Sequence, residues 1–359
     1  MNILFIIDHL SGGGAERVCS SVANGLVKLG HNVVILTKAV SDKDYSLDNR
    51  IKVIKFDLPG GGMKGRFKRI TFFISVLKNN HIDVAINILG FWFSQTILLC
   101  RLMGVKIVFS DHNPYERPAN AQFPFSKEQF KIKFKLSRHC DCTTVLTRRD
   151  KVILGKRKNV VVMPNPLFLP ILKEVPAKEN VILAVGRFHV WEVKGFDILI
   201  KAWGNICKDY PSWSLKIIGD GTSEERSVID SFIHESNAER VLIEPFRKNI
   251  SEEYQKASVF VLSSRYEGFG LVLIEAMSQR CACVACDYKT RQADIITDGV
   301  DGLLCRTDDV DDLTLKMNKI LSDSILRNSI QLHSADKLEQ YQESVIAEKW
   351  NSLLNSLIQ

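Results

Sequence analysis

Short, nearly unbroken runs of Val, Ile and Leu recur along the chain, spaced too widely for hairpins but far enough apart to admit helices. A strand that is apolar on both faces must be covered on both faces, so these runs predict parallel sheet flanked by helices. A sheet with one wet face would alternate polar and apolar residues instead. Strands are expected at Ile3–Ile7, Asn32–Thr37, Val53–Phe56, Val84–Leu89, Lys106–Ser110, Thr143–Leu146 and Val160–Met163. Helices are expected over Ala15–Leu29, near Phe67–Lys78 and over Phe91–Met103, the first ending at Gly30, a residue suited to a helix C-terminus.

The alternation then stops. Pro164-Asn165-Pro166, Pro170 and Pro176 fix backbone angles and remove donors, which marks a linker. Beyond it the pattern restarts, with strands at Val181–Val185, Ser214–Ile218, Val241–Glu244, Val259–Ser263 and Ala282–Cys286. Helices fall over Phe196–Tyr210 and near Glu224–Ser236, Ser251–Lys256, Leu271–Gln279 and Val310–Leu321. The expectation is two doubly wound α/β domains, 1–166 and 167–335, and a C-terminal helix in 336–359 that packs back on the first. A total of 359 residues suits two domains of about 100–200 residues each. Ligands of such sheets lie beyond the carboxyl ends of the strands.

Bulk properties exclude several classes. With 45% apolar and 25% charged residues, the chain is neither disordered nor fibrous. Its net charge of +7 permits anionic ligands or an acidic membrane surface but is too small for a dedicated nucleic-acid binder. The N-terminus lacks a basic n-region and its apolar run ends at Asp8, so it reads as a buried strand, not a secretion signal. Polar residues interrupt the apolar stretch 84–109 too often for a membrane span. Nine scattered cysteines read as reduced thiols in a cytoplasmic protein. Cys281, Cys283 and Cys286 read as a buried strand of small residues, because no second ligand pair follows at zinc spacing. Asp42-Lys43-Asp44 reads as a solvated turn, and no metal is expected.

Three elements carry chemistry. Ser11-Gly12-Gly13-Gly14-Ala15-Glu16-Arg17 joins the first strand to the first helix; it is either a ligand loop at a helix N-terminus or a tight turn. Gly186-Arg187 ends a strand, and Lys194-Gly195 follows seven residues after Arg187: two cations that suit a diphosphate, or a solvated basic turn. Ser263 to Met277 places Glu267 just before a helix, Gly268 and Gly270 at its N-terminus, and Glu275 within it. A carboxylate inside an apolar helix needs a hydrogen-bonding partner such as a ribose diol; the other reading is a capping Glu and a surface Glu.

Taken in this order, with Gly219-Asp220-Gly221 between them, the elements resemble the retaining glycosyltransferases of the GT-B fold, in particular glycosyltransferase family 4, over nearly the whole chain. Glu267-Gly-Phe-Gly-x4-Glu275 matches that family's E-x7-E element. The resemblance implies two Rossmann-like domains facing across a cleft, a nucleotide-sugar donor in the C-terminal one and an acceptor in the N-terminal one. Arg187 and Lys194 would hold the diphosphate, Glu275 the ribose, and Glu267 the transferred sugar near its C3 and C4 hydroxyls. The Gly268–Leu271 backbone, with Phe269 and Gly270, would contact sugar or phosphate. Phe246 and Arg247 would flank the base. Gly12, Gly13 and Gly14 would approach the phosphates or the acceptor, and His112 in Ser110-Asp111-His112-Asn113 would lie near the C6 hydroxyl, or else be a strand-end histidine. Glu267, His112, Arg187 and Lys194 are thus the expected catalytic group. The family reacts on one face of the sugar and needs no carboxylate pair of the glycosidase type. Where the family usually carries a Pro-Glu or Gly-rich turn, this chain has Asp287–Ile296 with Asp294 in place of Glu, which leaves the donor sugar open.

The expected activity is therefore retaining, metal-independent transfer of a hexose or N-acetylhexosamine, from a UDP-sugar by family habit, to a glycan or polyprenyl-diphosphate-linked acceptor, without cofactor. Basic residues beside aromatics in Met63–Ile74, together with Lys127, Lys131, Lys133, Lys135, Arg138, Arg148, Arg149, Lys151, Lys156, Arg157 and Lys158, suggest an N-terminal surface for anionic membrane, or solvated helix faces. That would place the enzyme in the cytoplasm, peripheral to the inner membrane. A sugar-nucleotide epimerase of the same fold would need further acid/base residues, which are not evident. A non-catalytic scaffold would not need the set Arg187, Lys194, Glu267 and Glu275.

Overall fold

A computed structural model describes residues 1–56, 62–119, 121–247 and 249–359. Gly60 and Gly61, which with Gly62 are expected from the sequence to open a basic loop into the helix near Phe67–Lys78, lie outside the described residues. The chain forms two compact units. One comprises Met1–Glu116, Phe125–Pro166 and Tyr341–Gln359, and the other Arg117–Pro124 and Leu167–Gln340.

The first unit holds a seven-stranded sheet of β1 (Asn2–Ile7), β2 (Asn32–Thr37), β3 (Lys52–Lys55), β4 (Val84–Ile88), β5 (Lys106–Ser110), β6 (Cys142–Val145) and β7 (Val160–Val162), in the order β3-β2-β1-β4-β5-β6-β7. Every pairing is parallel. All of β4 and nearly all of β1 and β2 are buried, as the apolar runs require. The C-terminal helix Glu343–Ile358 buries Ile346, Ala347, Trp350 and Leu354. It lies against helix Gly14–Lys28 so closely that a Cβ on Gly25 would stand 2.5 Å from that of Ala347.

The second unit holds a six-stranded parallel sheet of β8 (Glu179–Val185), β9 (Ser214–Gly219), β10 (Val241–Pro245), β11 (Ala257–Leu262), β12 (Ala282–Cys286) and β13 (Leu303–Cys305), in the order β10-β9-β8-β11-β12-β13. Cys281, Cys283 and Cys286 lie in a fully buried strand region. Burial raises the Cys281 thiol to about 11, so it is a protonated core residue.

Both strand orders reverse once, between β1 and β4 in the first sheet and between β8 and β11 in the second. Loops that leave neighbouring strands in opposite directions open a crevice at the carboxyl ends. Gly12–Gly14 follows β1, Gly186-Arg187 follows β8, and Ser263–Gly270 follows β11. The motifs singled out from sequence thus sit where such a sheet opens.

Candidate active site

In the second unit the ends of β8 and β9 touch through backbone. A Cβ on Gly219 would lie 2.0 Å from the carbonyl oxygen of Gly186, and one on Gly186 would lie 3.0 Å from Cγ of Lys194. After the exposed Arg187 the chain makes a single turn of 3-10 helix, Phe188–Val190, and a short helix, Trp191–Lys194. Gly195 ends that helix in the left-handed region, at φ 64°. It does so against the loop after β11, since a Cβ here would stand 2.2 Å from the carbonyl oxygen of Ser263.

Polar bonds seal this contact. Ser263 Oγ donates to the Lys194 carbonyl at 2.8 Å, and the Arg265 backbone N–H donates to the Val193 carbonyl at 2.8 Å. The Arg265 guanidinium donates to both oxygens of Asp197 (2.8 and 2.7 Å), to the Glu192 carbonyl (2.7 Å) and to Asp308 (2.8 Å). A planar fork bound on both prongs fixes direction as well as distance. The latch brings Lys194 Nζ to 2.6 Å from Glu267 Oε1, to which Ser264 Oγ also donates at 2.8 Å. Among the described residues, Glu267 Oε2 has no hydrogen-bond partner, and both side chains stay partly open, at 20% for Lys194 and 16% for Glu267.

Glu267-Gly268-Phe269-Gly270 leads into helix Leu271–Ser278, with Gly270 at φ 93° and no side-chain cap. The Leu273 N–H donates to the Gly270 carbonyl at 2.9 Å, and the N–H groups of Leu271 and Val272 before it precede the helical ladder, where partial positive charge gathers. Phe269 is buried. Glu275 is 4% exposed, and Tyr254 Oη lies 3.5 Å from its Oε2. Burial, then the charge of Glu275, pushes the Tyr254 hydroxyl well above its ordinary value, so it remains a donor. Farther along the sheet edge, Arg247 pairs with Glu253 at 2.8 Å and with Glu244, while Lys216 pairs with Glu253 at 3.0 Å. Phe246, beside them, is 64% exposed.

In the first unit His112 leaves the end of β5. Its Nε2 lies 3.2 Å from Ser110 Oγ, to which Thr144 Oγ1 donates at 3.0 Å. Its Nδ1 and Oδ1 of Asn165 are both buried, and although the Asn165 side chain acts on the ring, neither atom has a well-aligned hydrogen bond among the described residues. Burial lowers the His112 pKa to about 4; Asp111 and the Asn165 amide only partly oppose it, so the ring is neutral near pH 7. Gly12 takes φ 88°, and a Cβ on Gly13 would collide with Glu16 Oε2 at 2.2 Å. Glu16, 7% exposed and 3.3 Å from His9 Nε2, therefore already supplies a carboxylate at this helix N-terminus.

Sequence reasoning missed Arg265, Asp197 and Asn165. Only Asn165 left a signal, an amide between two prolines of the linker. The basic residues of the first unit also need correction. Lys133 is 4% exposed and paired with Asp111, Arg149 is paired with Glu116 at 2.9 Å, and Arg157 donates to Ser137 and the Phe134 carbonyl. These three hold loops in place and are not part of a surface patch.

Two family models divide the chain between them. Glycosyltransferase Family 4 matches residues 12–167, and Glycosyl transferases group 1 matches residues 172–334. The amylovoran biosynthesis glycosyltransferase AmsD of Erwinia amylovora is 31% identical over 369 residues, covering 98% of this chain and 99% of its own. This chain belongs to glycosyltransferase family 4. A Campylobacter jejuni relative, an alpha-1,4-N-acetyl-D-galactosaminyltransferase named for an undecaprenol-diphosphate-linked substrate, is 28% identical over 99% of this chain and 98% of its own. Among solved structures, Anabaena HepE in complex with UDP-glucose matches at TM-score 0.83 and 18% identity, over 99% of this chain and 100% of that one. A sucrose-phosphate synthase from Thermosynechococcus elongatus matches at TM-score 0.82 and 18% identity, over 99% and 98%. The fold is GT-B, and the chain is a glycosyltransferase.

Proposed function

We propose that this glycosyltransferase moves a hexose or N-acetylhexosamine from a UDP-sugar to a lipid-linked glycan, with retention of anomeric configuration and without a metal ion. The contact between Lys194 and Glu267 carries the reading, because it sets a cation beside a carboxylate that keeps one oxygen unengaged. Glu267 Oε2 accepts from the sugar's hydroxyls. Lys194, with exposed Arg187, faces the diphosphate and offsets charge as it departs, a contribution that grows as the bond breaks. The uncapped N-terminus of helix Leu271–Ser278 adds its N–H groups to the same anion. Glu275 accepts from the ribose hydroxyls, oriented by Tyr254. Phe246 offers the base an apolar face beside Arg247, which Glu244 and Glu253 hold.

His112 Nδ1 and Asn165 Oδ1 interact without forming a well-aligned hydrogen bond, so one substrate hydroxyl that bonds to both would complete the arrangement. With the Glu16 carboxylate already seated at Gly13, the Gly12–Gly14 loop suits hydroxyl groups of an acceptor better than its phosphates. The countercharge comes from Arg187 and Lys194, so chelation of divalent ions leaves turnover unchanged.

Support for a membrane-bound acceptor comes from helix Gly62–Asn79. Met63 (89% exposed) and Phe67 (67%) share one face at a spacing of four residues, among exposed Lys64, Arg66 and Lys68. Apolar residues ringed by cations suit an anionic bilayer surface, and no described helix is long and apolar enough to cross a membrane. The Campylobacter relative's polyprenol-linked substrate points to the same class of acceptor.

The test is release of UDP from a panel of UDP-sugars with and without a polyprenyl-diphosphate-linked glycan. Acceptor-dependent release with an α-linked product from an α-linked donor supports the reading; an inverted product or an absolute requirement for a divalent ion overturns that part of it.

A further inference from the structure

A buried charge pair braces the turn that carries His112. Lys133 lies in a turn of π-helix, Lys131–Lys135, between helix Lys127–Phe130 and the 3-10 turn Leu136–His139. A π turn inserts a residue into the helical register, and such insertions recur at functional sites. Lys131 and Lys135 on either side are exposed, while Lys133 is 4% exposed. Its Nζ bonds to Asp111 Oδ2 and donates to the Asn113 carbonyl at 3.1 Å. The same nitrogen sits 4.0 Å over the Tyr115 ring and 5.4 Å from the Phe125 ring. Asp111 is itself 3% exposed, and its other oxygen accepts from the Asn113 backbone N–H at 3.1 Å.

A desolvated ion pair is a poor source of stability, because the loss of hydration roughly cancels the attraction. Its contribution here is geometric. The two groups that Lys133 holds, the Asp111 carboxylate and the Asn113 carbonyl, belong to the residues immediately before and after His112. With the Asp111–Asn113 bond they close a small ring around the His112 peptide, and Ser110 Oγ steadies the imidazole from the other side. Tyr115, under the ammonium, is tied by its backbone N–H to Asp150 at 2.9 Å, which anchors the brace to helix Arg148–Ile153.

We propose that Lys133 is a positioning residue for His112, fixing the turn Asp111–Asn113 so that the imidazole meets its substrate hydroxyl in one orientation. The inference rests on the reading that His112 contacts substrate. Lys133 touches no substrate and acts only through that ring.

The experiment is a double-mutant cycle on the full-length enzyme, with kcat and KM for the UDP-sugar measured for wild type, Lys133→Met, His112→Ala and the combination. Misplacing a contact group by an ångström costs up to roughly 100-fold, so Lys133→Met is expected to lower kcat about 10–100-fold with KM for the donor within about threefold. In the His112→Ala background the same change is expected to do almost nothing, because the group it positions is gone. Lys133→Met strands a buried carboxylate, so Asp111→Asn/Lys133→Met serves as the folding-safe version and is expected to show the same dependence on His112. Multiplicative losses in the two backgrounds, or an unchanged kcat in the folded Asp111→Asn/Lys133→Met enzyme, overturn the positioning role. An unchanged kcat in His112→Ala overturns instead the reading on which it stands.

Discussion

Substituting Gly195 by alanine isolates the contact that builds the second unit's site. Two effects add. An L-residue held at φ 64° costs about 1–2 kcal/mol. The new Cβ would also stand 2.2 Å from the Ser263 carbonyl oxygen, roughly an ångström inside an ordinary contact. That oxygen belongs to backbone held by Ser263 Oγ, the Arg265 N–H and the Arg265 fork, so it cannot swing away as a flexible side chain would. Overpacking of this kind adds about 1–3 kcal/mol. Gly299 supplies the control, with φ 77° and open space where its Cβ would go. Gly299→Ala therefore reports the backbone effect alone. Thermal melts of the two variants, with each kcal/mol shifting Tm by about 2–4 °C for a unit of this size, are expected to show a clearly larger fall for Gly195→Ala. Turnover should fall only there, because relief of the clash separates Lys194 from Glu267. Equal melting shifts for the two variants, with turnover intact in both, would refute the close approach of the two loops.

Two further outcomes are expected. His112 has a folded-state pKa of about 4 against an ordinary 6.5, so below pH 6.5 the unfolded chain takes up a proton that the folded one refuses. Stability from this group is complete above pH 6.5 and is lost as pH falls towards 4, by roughly 3 kcal/mol at most; denaturant titrations of wild type and His112→Gln between those limits should diverge in slope, and parallel curves would reject the burial. Glu275→Gln keeps the shape but loses the charge-assisted bond to a ribose diol, so KM for the UDP-sugar should rise roughly 10-fold or more with a smaller change in kcat; an unchanged KM removes Glu275 from the nucleotide site.

The sheets were legible because a strand buried on both faces writes its burial into consecutive residues, as in β4 and β11. Shorter elements were not. β13 spans only Leu303–Cys305, and helix Ser324–His333 buries little more than Ile330 and Gln331, so neither leaves a periodic trace. The C-terminal segment 336–359, expected as a helix, contains the 3-10 turn Leu338–Tyr341 before helix Glu343–Ile358. Candidate carboxylates stood out by their spacing around one helix N-terminus, as with Glu267 and Glu275. Charges whose fate depends on distant partners did not: Arg265 finds Asp197 from 68 positions away, and Lys133 reads as one of several surface lysines until the π turn carries it inward to Asp111. Composition records that a cation is present, and only the tertiary structure decides whether it meets solvent, a ligand or a buried carboxylate.

The most direct test of the account is calorimetric titration of UDP into the wild-type enzyme and into Arg187→Met/Lys194→Met. Two charge-assisted contacts to the diphosphate predict a loss of affinity of roughly 100-fold or more, with the variant still folded by its melting profile. UDP bound as tightly by the variant as by wild type would contradict the assignment of these two cations to the leaving group.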